Sequence, residues 1–179
     1  MTDIQNEHGF TLAEVLVAAV IVTLSFVALA RVVPIAGYAV QQGYQGSTAT
    51  FLADQKLELF KDVPWVSVPA NDCLGVSASS AAAPTVPATA TCTFGVTTVN
   101  GGNALAWEAD ENSTAITNFS GYSRQVRVTD CGSGAGCMGI VDAGMRLVTV
   151  IVSYTPPSVT GTAATSATTY SVSMLVSQQ

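Results

Sequence analysis

GFTLAEVLVAAVIVTLSFVALAR, residues 9–31, contains one ionisable group between Phe10 and Ala30, the carboxyl of Glu14. At about 1.5 Å per residue, a helix over that interval reaches roughly 30 Å, the thickness of a bilayer's hydrocarbon layer. The stretch therefore predicts one membrane crossing. A carboxylate just inside such a segment is costly unless something neutralises it, so Glu14 is the residue that most needs a partner. A free amine at the start of a helix of the same kind is one candidate. It would exist if the chain were cut between Gly9 and Phe10.

Outward from this stretch, Met1–Gly9 has no Lys or Arg. A secretory signal peptide needs a basic start and is cut after its apolar run, so it fits poorly. An ordinary single-span anchor explains the apolar run but gives Glu14 and the Gly9–Phe10 junction no role. Gly9, Phe10, Thr11, Leu12, Ala13, Glu14, Val15, Leu16 and Val17 resemble the processing site of type IV prepilins and type II secretion pseudopilins. The resemblance implies that residues 1–9 are a leader ending at the cleavage residue Gly9. It also implies that a prepilin peptidase and methyltransferase cuts there and methylates the new terminus Phe10, and that Glu14 pairs with a neighbouring subunit's terminal amine. The implied location is the bacterial inner membrane, with the C-terminal part extracytoplasmic, and then a cell-surface pilus. The implied partners are other pilin subunits and the pilus assembly machinery. Asp3, Glu7 and the missing basic residues depart from the family pattern and supply no positive-inside bias. Orientation rests on the resemblance and on the cysteines.

The chain has 179 residues, enough for one membrane helix and one modest domain. Charged residues are 10%, and Thr, Ser, Ala, Val and Gly dominate, which suits a β-rich body outside the cell. With a net charge of -6 and six Lys and Arg that never cluster, direct nucleic-acid binding is not expected. Cys73, Cys92, Cys131 and Cys137 all follow the apolar run, and an even count on an outer side favours disulfides. Of the possible connectivities, sequential pairing closes the shortest loops: Cys73 with Cys92, and Cys131 with Cys137. No C-x-x-C pair is present and the single His8 lies in the leader, so no metal or other cofactor is expected.

The divisions expected are a leader over 1–9, a membrane and assembly segment over 10–33, an amphipathic second half of the helix over 34–63, and a globular β-rich domain over 64–179. Pro34 should break or kink the helix, and Gly37, Gly43 and Gly46 weaken the turns that follow. In pilin filaments such a breaker is often locally unwound, so the resemblance places unwinding at 34–46. Ala49, Ala53, Leu57 and Phe60 then recur at helical spacing until Pro64. ADQKLELFKDVPW, residues 53–65, resembles the end of this helix in minor pilins and pseudopilins.

Residues 76–90, VSASSAAAPTVPATA, read as a surface loop that buries little, held at its base by a Cys73–Cys92 bridge; its Ser and Thr residues offer sites for O-linked sugars, though an unmodified loop is the better reading. Sequons occur at Asn112 and Asn118. Strands are expected over 92–99, 122–130, 145–154, with Pro156 and Pro157 closing it, and 168–176, with a hairpin loop near Gly161. The resulting class is α+β, a long N-terminal helix packed on a C-terminal antiparallel sheet.

No nucleophile, base and phosphate-loop combination stands out, so no enzyme is expected. Glu108, Asp110 and Glu111 form the dense acidic cluster, readable as a calcium site or, better, as a solvated loop. Trp65 and Trp107 read as core or edge aromatics. The function these features favour is a filament subunit, a minor pilin, with major pilin and type II secretion pseudopilin as close alternatives. The competing class is a membrane-anchored extracytoplasmic binding module that does not assemble. Its contact surface would be the loop 72–91 or the Cys131–Cys137 loop.

Overall fold

The computed structural model describes residues 11–94, 97–100, 109–156 and 166–178. Helix α1, Leu12–Lys61, begins at the N-cap Thr11 and ends at Asp62, just before Pro64. It runs as one α-helix through Pro34, so the unwinding expected over 34–46 is absent from the isolated chain. Proline removes one backbone donor, and long helical segments on both sides keep the residues around it helical despite that single loss. The glycines behind it are spanned too, with the Thr48 and Thr50 hydroxyls donating to the Tyr44 and Gly46 carbonyls within the same turns.

The second half of α1 is amphipathic, as the spacing predicts. Ala49, Ala53, Leu57 and Phe60 are buried, and Leu52 and Lys56 complete the same stripe. This stripe lies on a three-stranded antiparallel sheet of β5 (Tyr122–Asp130), β6 (Met145–Tyr154) and β7 (Thr168–Ser177). Strand β6 is central, with Val150 opposite Val126 on one side and Val172 on the other. Alternation places Val148, Val150 and Val152 of β6, with Val126 and Val128 of β5, against the helix, all fully buried. The meander expected from sequence is the fold, and β5 and β6 have the expected bounds.

Between helix and sheet the chain departs from expectation twice. The stretch read as a surface loop forms a small hairpin, β1 (Val76–Ser77) with β2 (Pro84–Thr85), and sends Val86 and Ala90 into the core. Its small residues conceal two apolar anchors, because burial at a site depends on where a single side chain points and not on the average composition of its segment. The single strand read over 92–99 is a second hairpin, β3 (Thr91–Phe94) with β4 (Thr97–Asn100), in which Phe94 lies opposite Thr97. Trp65, just beyond α1, is buried in the core. Glu108, Trp107, Pro157 and the Gly161 region lie outside the described residues.

Candidate assembly helix and the charges behind it

Every residue from Thr11 to Gly37 is exposed on this chain, including Leu16, Leu24, Phe26 and Val33. A helix apolar on all sides makes physical sense only in lipid or among other such helices. This one is long and apolar enough to cross a membrane. At its start, Thr11 and Glu14 form a capping box: the Glu14 backbone N–H donates to the Thr11 hydroxyl at 3.3 Å, and the Thr11 backbone N–H donates to Glu14 Oε2 at 2.9 Å. The Thr11 hydroxyl also donates to Oε2, at 3.1 Å. Two orphan donors of the first turn are thereby satisfied, and the carboxylate lies at the positive end of the helix dipole. The T-x-x-E spacing is visible in the sequence, and reading Glu14 only as an ion-pair partner overlooks this local role. Gly9 and Phe10 lie outside the described residues.

The globular body is tied together by buried basic residues that sequence reasoning did not pair with the acidic cluster. Arg124 on β5 grips Glu111 with two hydrogen bonds of 2.6 and 2.9 Å, and donates to the Leu52 carbonyl of α1 at 3.0 Å. Lys56, buried in the helix stripe, adds its ammonium 3.7 Å from Glu111. Burial would raise the Glu111 carboxyl, but the Arg124 hydrogen bonds and the Lys56 and Arg124 charges outweigh it and hold the group below its ordinary value. Arg127, one residue out of phase with the apolar face, holds Asp110 at 2.6 and 2.9 Å and donates to the Ser80 and Ala81 carbonyls of the β1–β2 hairpin.

Over its described members the acidic cluster is not a free ligand set, because Asp110 and Glu111 each face an arginine; Asp110 remains exposed, as the solvated-loop reading expects, while Glu111 is half-buried. Among the described residues no three His, Cys, Asp or Glu side chains converge as a metal site. Lys56, Arg124, Arg127 and Arg146 are all buried, which leaves Arg31 and Lys61 of the six basic residues outside the body's interior. Composition alone gives a low basic count; the packing removes most of that count from the surface.

All four cysteines are bridged, Cys73 to Cys92 and Cys131 to Cys137, with Cα separations of 5.6 and 4.9 Å. Sequential pairing is thus the arrangement present, and the first bridge closes the base of the β1–β2 segment. The second clamps the β5–β6 connection, where Cys137 and Ile140 exchange backbone hydrogen bonds of 2.8 and 2.9 Å. Their tight turn needs positive φ at Met138 (52°) and Gly139, and carries Met138 81% exposed. Gly136 is required beside it, since a Cβ there would overlap the Ile140 carbonyl.

A family model, the prokaryotic N-terminal methylation motif, matches residues 4–30. The chain carries a prepilin-type methylation motif. That motif supports a place among the type IV prepilins and pseudopilins, whose members are structural subunits and not enzymes. The match takes in Gly9, Phe10 and Glu14 and stops at Ala30, before the amphipathic half of α1 and the whole sheet domain. Neither a curated protein nor a solved structure matches the chain. The pilin-like reading accordingly rests on the motif and on a helix whose first half buries nothing against its own body.

Proposed function

We propose that this protein is a minor pilin, a structural subunit of a type IV pilus. It is cut after Gly9, N-methylated at Phe10, and held in the inner membrane by the first half of α1 with the sheet domain outside. Assembly exchanges lipid for the apolar helices of other pilin subunits, and Glu14 turns from its own capping box to the terminal amine of a neighbour. The prepilin peptidase and methyltransferase and the pilus assembly machinery act on it in turn. The observation that carries this reading is the run from Thr11 to Gly37, exposed throughout and bearing only Glu14 and Arg31 as charges. Major pilin and type II secretion pseudopilin place the same helix in the same kind of core, and abundance in purified filaments separates them.

Intact mass and N-terminal sequencing, on protein from native membranes and from sheared filaments, test the proposal. A methylated Phe10 terminus in filaments, at a small share of their mass, is the expected result. A chain starting at Met1 and confined to the membrane overturns it. A second reading, a membrane-anchored binding module, is favoured by the exposed Met138 turn behind its disulfide. It predicts that Glu14 is dispensable.

A further inference from the structure

All five tyrosines of the chain gather at one pole of the domain, the pole from which the apolar half of α1 departs. Tyr38 and Tyr44 stand on the helix itself. Tyr122 and Tyr154 face each other across β5 and β6 with ring centres 5.4 Å apart, and Tyr154 stacks on Tyr170 of β7 at 6.1 Å. Tyr122 donates to the Gln45 carbonyl of α1, and Gly46 leaves room for the Tyr170 hydroxyl, which lies 2.7 Å from where a Cβ would stand. Burial, with the Tyr170, Tyr122 and Tyr38 phenols beside it, pushes the Tyr154 hydroxyl up to about 12. Tyr154 is buried at the centre, Tyr38, Tyr122 and Tyr170 are half-buried, and Tyr44 is 73% exposed. The opposite pole holds the Cys131–Cys137 turn and the end of α1.

We infer that this pole is a lipid-headgroup contact, in which Tyr38 and Tyr44 seat the domain on the outer face of the bilayer before assembly. The inference rests on the membrane-anchored reading of α1. Tyrosine rings, apolar with one polar tip, collect at the membrane–water interface. The apolar run continues past Arg31 through Val32, Val33, Pro34, Ile35 and Ala36. Counting about 30 Å back from Ala36 at roughly 1.5 Å per residue reaches Leu16. In that register Glu14 leaves the hydrocarbon for the inner boundary, where its capping box already suits it, and Arg31, five residues inside the outer boundary, bends its long flexible stem back against the N-terminal lean to carry the guanidinium to the headgroups. Tyr38 then lies about one turn or less beyond the hydrocarbon. Tyr44 lies higher, but helical side chains lean toward the N-terminus, here toward the membrane, which brings its ring down to the same layer. Tyr122, Tyr154 and Tyr170 brace the two from above. The contact involves neutral phenols, with no basic cluster, so it requires no anionic lipid.

The uncut full chain, with ¹³C-labelled tyrosine, leucine and methionine, is placed in phosphatidylcholine nanodiscs carrying a paramagnetic headgroup lipid. The Tyr38 and Tyr44 rings are expected to relax severalfold faster than the Met138 methyl at the far pole. A Tyr38→Ser/Tyr44→Ser chain is expected to lose most of the weaker enhancement at Tyr122 and Tyr170. An acyl-chain nitroxide in parallel discs reports on Leu24. Leu24 broadened with Tyr44 relaxing no faster than Met138 overturns the headgroup contact alone. Leu24 unbroadened removes the membrane span, and this inference with it.

Discussion

Arg146 of β6 and Asp72, 74 positions apart in sequence, form a buried two-pronged ion pair at 2.6 and 2.8 Å, with the guanidinium 4.1 Å above the Trp65 ring. Asp72 also accepts the Gly75 N–H, and Arg146 donates to the Gly75 carbonyl, so the pair fixes the segment that leaves α1 for the first disulfide. Removing one partner leaves the other charged and buried. Asp72→Asn is therefore expected to cost about 3–5 kcal/mol, and Asp72→Leu with Arg146→Met distinctly less. Guanidinium unfolding of the detergent-solubilised chain, followed by Trp fluorescence, measures both. An Asp72→Asn midpoint equal to that of the parent would show that the pair does not hold this segment.

Acid should weaken the body through Glu111. Its folded value lies below the ordinary 4.5, so the stabilisation is present above that pH and is lost as the pH falls through the lowered value. Thermal unfolding between neutral pH and pH 3 is expected to show a falling midpoint in the parent and a flatter, lower curve in Glu111→Gln. Parallel curves for the two would remove Glu111 from the acid response.

The sheet was legible because its signals are local. In β5, Arg124, Val126 and Val128 alternate with Ser123, Gln125, Arg127 and Thr129, and β6, residues 145–154, is a mostly apolar run that prolines follow. The helix stripe was legible for the same reason, through the spacing of Ala49, Ala53, Leu57 and Phe60. The ion pairs were not legible, since Arg124 and Leu52, or Arg146 and Asp72, meet only after the chain has folded back across more than seventy residues. At Pro34 the helix does not break: α1 continues into its amphipathic second half as expected, because the helix on both sides outweighs the loss of one donor. At the assembly end the sequence pointed to Glu14 through its isolation in an apolar run, while the capping box with Thr11, equally local, went unread.

Alkali acts at the tyrosine pole. The Tyr154 hydroxyl titrates at about 12 in the folded chain against 10.0 ordinarily, so the protonated form is favoured on folding. Its contribution is whole below about pH 10 and is lost as the pH rises toward 12. Tyr154→Phe is expected to reduce the fall in unfolding midpoint across that window. An unchanged fall would assign the alkaline response to other groups.

The two disulfides should differ in weight. Cys73–Cys92 closes a separation of 19 residues and Cys131–Cys137 one of 6. On the chain-entropy account, opening the first is expected to cost about 3 kcal/mol and opening the second about 2 kcal/mol. Paired Ser replacements compared by denaturant midpoint measure the order. A larger loss at Cys131/Cys137 would show that the strained Met138 turn contributes more to the fold than loop closure alone explains.

Glu14 separates assembly from anchoring. Inside a single chain its carboxylate satisfies only the Thr11 backbone and hydroxyl, a cap whose loss typically costs about 1 kcal/mol of helix stability. A helix held by some twenty apolar residues in lipid survives that loss, so Glu14→Ala and Glu14→Leu are expected to be made, inserted and cleaved. Gly9→Ala or a bulkier residue acts earlier and is expected to leave a full-length precursor, visible on a gel. The Glu14 replacements lack the charge that a neighbour's Phe10 amine would meet in a water-free core, where an unpaired ammonium is costly. Their share of sheared filaments, measured against their membrane pool, is expected to drop severalfold, while Glu14→Asp retains part of it through its charge. Parental incorporation of both Glu14→Ala and Glu14→Leu would leave the cap as the residue's only role and return the protein to a membrane-anchored module.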